Sequence, residues 1–100
     1  MTENERIAIA ARLHVALRRK TGRVTDTEWM AANADYAIEV VRFARAHATE
    51  HNDAELAAIA DRLELAMAPI VAAARLRETL LRQAAGAPGG PAPRYVGGLR

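Results

Sequence analysis

The chain of 100 residues contains no cysteine, one tryptophan, one phenylalanine and two tyrosines. Without cysteine it has neither a disulfide framework nor a thiolate metal site. With so few aromatics, the core depends on aliphatic side chains. The apolar fraction is 51%, but much of that is alanine, which buries little area, so the hydrophobic gain rests on the fewer Ile, Leu, Val, Met, Trp, Tyr and Phe. A single domain of this size has a modest core, which favours oligomerisation. No charge-free run in the helical region exceeds Leu65 to Ala74, too short to cross a bilayer. The start, Met1-Thr2-Glu3-Asn4-Glu5-Arg6, is polar and leads into no uninterrupted apolar stretch, so a secretory signal is not expected. A soluble cytoplasmic protein, with no membrane contact, is the expectation. The abundance of arginine and alanine fits a GC-rich bacterial genome.

Net charge is small, +2, and uneven along the chain. Residues 1–23 carry six basic and two acidic side chains, residues 24–74 three basic and nine acidic, and residues 75–100 five basic and one acidic. This basic–acidic–basic order suits pairing within the chain or between subunits at least as well as contact with nucleic acid.

What is present is helical patterning. The stretch Val24-Thr25-Asp26-Thr27-Glu28-Trp29 has the spacing of a helix start. Thr25 and Glu28 are placed as a capping box, with Val24 and Trp29 as a hydrophobic staple. Trp29, Tyr36, Val40 and Phe43 then recur on one face, which predicts a spine helix over about 26–48. Asn33-Ala34-Asp35 is its weak point, because Asn and Asp favour caps, and a break there is the alternative. Before it, a helix over about 3–20 opens on Thr2 and Glu5, buries Ile9, Leu13, Ala16 and Leu17, and ends on Arg18-Arg19-Lys20 before Gly22. After it, His47 to Asp53 reads as a connection, and a third helix starts on Asn52 or Asp53, with Asn52 and Glu55 at box spacing. Leu56, Ile59, Leu63, Met67 and Ile70 form its stripe. Pro69 interrupts the pattern, yet Ala73, Leu76, Leu80 and Leu81 continue it to about residue 85. A kink in one long helix is preferred to a corner before a fourth helix, because no linker is present. The expected architecture is an all-α bundle of three main helices, over about 3–20, 26–48 and 53–85.

Such a third helix outruns its partners. Ile70, Val71, Leu76, Leu80 and Leu81 are then left incompletely covered and form the candidate subunit interface, most simply of a homodimer. Arg18, Arg19, Lys20 and Arg23 cluster before the spine helix and are the candidate phosphate contacts, but Glu28, Asp35 and Glu39 on that helix would repel a nucleic-acid backbone, and the balance is against that partner. His47-Ala48-Thr49-Glu50-His51 spells H-x-x-E-H, an inverted zinc-peptidase motif. It falls where a helix should end, and two solvated histidines are the preferred reading. There is no glycine-rich phosphate loop, and the threonines sit mostly at helix starts, where capping accounts for them. No cofactor and no catalysis are expected.

The chain ends with Gly86-Ala87-Pro88-Gly89-Gly90-Pro91-Ala92-Pro93, whose composition predicts a linker, followed by Arg94-Tyr95-Val96-Gly97-Gly98-Leu99-Arg100. Aromatic, aliphatic and basic anchors beyond a spacer have the layout of a docking peptide, with Tyr95, Val96, Leu99 and Arg100 as its contacts. Val96-Gly97-Gly98-Leu99-Arg100 resembles the C-terminal targeting peptide of encapsulin cargo proteins, in which an aliphatic residue, glycine, a small residue, leucine and a basic residue follow a Gly/Pro-rich linker. The resemblance implies that the aliphatic anchors would fill apolar pockets on a shell's inner wall. Many such cargoes are ferritin-like and carry Glu-x-x-His on a helix. Here His14, His47 and His51 each have alanine three residues before, so a di-iron carboxylate site is not expected.

Overall fold

The computed structural model describes residues 1–86. The expected linker beyond Gly86 and the docking residues Tyr95, Val96, Leu99 and Arg100 lie outside them. The described chain is an all-α bundle with the order α1 (Glu3–Thr21), α2 (Thr27–Ala32), α3 (Ala34–His51) and α4 (Ala54–Gly86). α4 packs against α3 and α1, while the short α2 bridges α1 and α3.

α1 forms as its sequence indicates. The Thr2 side chain accepts from the Glu5 amide, and the Glu5 carboxylate accepts from the Thr2 amide, which completes the capping box. The same bond holds the Glu5 carboxyl below its ordinary pKa. At the other end Gly22 takes the left-handed conformation (φ 79°) and returns its amide to the Arg18 carbonyl, a position that a side chain would strain. Ile9, Leu13, Ala16 and Leu17 are buried as expected.

The second expected helix is two helices. Asn33 ends one and starts the next: its amide donates to the Trp29 carbonyl (2.8 Å), and its side-chain oxygen accepts from the Tyr36 amide (2.8 Å). Its backbone is extended (φ −113°, ψ 120°), so the axis turns there. The capping ability of asparagine wins over helix continuity. The turn lets α2 bury Met30 and Ala31.

The start of α2 also differs from expectation. Asp26, not Thr25, is the cap, accepting from the Trp29 amide at 2.9 Å. Thr25 is buried, and its hydroxyl lies 2.8 Å from His14 Nδ1 on α1. A tertiary hydrogen bond thus removes Thr25 from the capping box. Trp29 does not open the core stripe either. It is 51% exposed and stacks on Tyr36 with ring centroids 4.2 Å apart, while Val24, its expected staple partner, is exposed. The Tyr36 hydroxyl accepts from the Asp26 amide, so the aromatic pair clamps the α2 start from outside.

α3 runs through His51, five residues into the expected connection. Asn52 is its left-handed C-cap (φ 53°), not an N-cap, and Asp53 takes over the start of α4 by accepting from the Leu56 amide. Pro69 lies inside α4, which continues as one helix to Gly86, so a corner before a fourth helix is excluded there. Proline leaves the Leu65 carbonyl without its intrahelical donor. Pro69 is exposed, on the side where water reaches the backbone.

Half of the buried apolar residues are alanines, among them Ala10, Ala44 and Ala60 with no exposure at all. Alanine lets helices approach closely but contributes little area. The energetic weight falls on Leu13, Leu17, Met30, Val40, Leu56, Leu63 and Met67, each fully buried.

Candidate interaction surface

α4 has 33 residues and, at about 1.5 Å per residue, is about 50 Å long, whereas α1 is about 28 Å. Its two halves have different surroundings. Leu56, Ala60, Leu63, Ala66 and Met67 are buried. After Met67 no residue of α4 is buried through Ala85: Ile70, Val71 and Ala74 are half-covered, and everything from Arg75 to Ala85 is exposed. α4 therefore projects from the bundle as an arm.

The structure divides the five expected interface residues between two faces. Ile70, Val71 and Leu81 line a groove of about 320 Å³ against Ala34, Asp35 and Ile38 at the start of α3. At about 100° per residue they continue the stripe that Leu56, Leu63 and Met67 bury in the bundle. Leu76 and Leu80 fall outside that groove and turn to a second face. They are 60% and 54% exposed, and Leu81 is 68% exposed.

The base of the arm is tied down by charge. Arg45 on α3 reaches both Asp61 and Glu64 on α4, with Nη2 2.6 Å from each carboxylate and Nε and Nη1 completing the fork. Asp61 and Glu64 are three residues apart, hence on one helical face. The fork raises the Arg45 pKa and holds the Glu64 carboxyl below its ordinary value. Sequence reading did not find this clamp, although the spacing of the two carboxylates was a signal for it.

Two of the four candidate phosphate contacts meet carboxylates of the chain itself. Lys20 pairs with Asp53 (2.8 Å) and Glu55 (3.3 Å), which raises the Lys20 pKa and lowers that of Asp53. Arg23 lies 3.9 Å from Glu39, and its guanidinium covers the Phe43 ring. Arg18 and Arg19 are exposed at the end of α1. The basic–acidic–basic order thus serves contacts within the chain at these positions.

His47 and His51 stack on successive turns of α3, with ring centroids 4.0 Å apart, and His51 Nδ1 lies 3.0 Å from the His47 carbonyl oxygen. Among the described residues no group of three or more His, Asp or Glu side chains is placed to hold a metal ion. Nor, among them, is any helix long and apolar enough to cross a membrane. Comparison with known protein families, curated proteins and solved structures finds no match to this chain.

Proposed function

We propose that this chain is a non-catalytic helical assembly protein that self-associates, as a dimer, through the projecting half of α4. One observation carries this reading. A helix of about nine turns keeps leucines at 76, 80 and 81 after its last buried residue, Met67. Clustered apolar side chains at helical spacing outside a core mark an interaction surface. A second copy of the same arm is the simplest cover. The α2–α3 turn and the Arg45 clamp support it by fixing the base from which the arm projects. Light scattering on the full chain tests the reading: twice the chain mass is expected, and a single-chain mass across the micromolar range would overturn it.

A second reading concerns the tail and rests on its sequence alone. Val96-Gly97-Gly98-Leu99-Arg100 supports delivery of the assembly into an encapsulin-type shell. The Val96→Asp, Leu99→Asp chain should then keep its mass and helicity but lose co-purification with a co-expressed shell protein. Undiminished co-purification would remove this reading.

A further inference from the structure

The projecting half does not account for Leu65. It lies in the part of α4 that packs in the bundle, two residues from the fully buried Leu63, yet it is 75% exposed. At about 100° per residue, Leu65 shares one outward face with Pro69, Ala72, Ala73, Leu76 and Leu80. All six are exposed. The steps from Leu65 through Pro69, Ala72 and Leu76 to Leu80 are four, three, four and four residues, the spacing of a helix-pairing seam.

This face reads alike from both ends. Leu65 and Leu80, Pro69 and Leu76, and Ala72 and Ala73 are each placed symmetrically about one point, midway between the two alanines. A two-fold interface requires such self-complementarity, because each residue i that meets j is matched by j meeting i. The smallest side chains fall at the centre, where two helix backbones come closest.

Charge selects the direction. Residues 54–70 of α4 carry Glu55, Asp61, Glu64 and a single Arg62, while residues 71–86 carry Arg75, Arg77, Arg82 and a single Glu78. Antiparallel pairing sets the acidic half of one helix against the basic half of the other, and parallel pairing sets like against like. In the antiparallel register Arg82 of the second copy lies level, along the helix axis, with the stretch from Asp61 to Glu64, whose side chains are 65% and 61% exposed.

We infer that the occupant of this face is a second copy of the chain, with α4 packed antiparallel on α4 about the Ala72–Ala73 midpoint; the inference rests on the self-association proposed above. The absence of cysteine makes it directly testable. Single-cysteine chains Leu65→Cys and Leu80→Cys are mixed and mildly oxidised after their reduced mass has been measured. The expected result is a disulfide between the two variants in the mixture, with neither variant cross-linking to itself. In this register the two copies of residue 65 are about 22 Å apart, and a disulfide needs Cα atoms within about 7 Å. A dimer in which Leu65→Cys links to itself, or in which no 65–80 link forms, overturns the register and leaves self-association standing. A monomeric mass for the unaltered chain overturns both. Arg82→Glu keeps every leucine and the Arg45 clamp in place, and it is expected to weaken association severalfold. Unchanged association of Arg82→Glu would also overturn the register.

Discussion

A chain carrying Leu76→Glu and Leu80→Glu together is expected to be monomeric at concentrations where the unaltered chain is a dimer, with its helix content and unfolding midpoint, measured on the separated monomer, essentially unchanged. Both leucines are more than half exposed in the single chain, so the fold loses no buried contact. In the dimer each change removes an apolar side chain from the seam and places a carboxylate there. A charge without a partner in a desolvated interface costs several kcal/mol, so the affinity should fall by at least about a hundredfold. Sedimentation velocity measures the mass and circular dichroism the fold. Retained dimer mass would place the interface elsewhere. Loss of helix content in the monomer would mean that these leucines serve the bundle.

The largest loss of folding stability is expected two residues from the largest exposure. Leu63→Ala should lower the free energy of unfolding by about 2–5 kcal/mol, the range for truncating a buried leucine and leaving a cavity. Leu63 is fully buried, in a core where half of the buried apolar residues are already alanine. Few large side chains remain to close over the gap, and a domain of this size has only about 5–15 kcal/mol in total. Leu65→Ala, at 75% exposure, should cost the monomer less than about 0.5 kcal/mol while weakening the dimer. Guanidinium unfolding of both variants in the Leu76→Glu, Leu80→Glu background separates folding from assembly. Equal losses at 63 and 65 would contradict the division of α4 into a bundle face and an outward face.

Much of this was legible before any coordinates. Thr2 with Glu5, Gly22 after a basic helix end, and the stripe Leu56–Leu63–Met67 each depend on neighbours within one or two turns, and each appears as read. The lack of a linker around Pro69 indicates the continuity of α4. What sequence reading missed depends on distant partners. Thr25 and Asp26 can both cap, and His14, eleven residues away from Thr25, decides between them. Asn33 could continue or break a helix, and burial of Met30 and Ala31 goes with the break. Trp29 has a hydrophobic period, but the turn at Asn33 moves it off the spine. The Arg45 clamp joins α3 to α4 across 16 and 19 residues. Leu65 lies off the stripe that the bundle buries, so core periodicity does not mark it as an interface residue. The second stripe, four-three-four-four, was in the sequence throughout.

Amide hydrogen exchange along α4, followed as a function of protein concentration, decides whether a second copy covers the arm. If a second copy covers the arm, the amides from Leu76 to Leu81 exchange slowly in concentrated protein and faster on dilution into the monomer range, while those around Leu63 stay protected in both. Exchange at Leu76–Leu81 that is equally fast at every concentration would mean that nothing covers the arm in a solution of this protein alone, and self-association through α4 would be wrong.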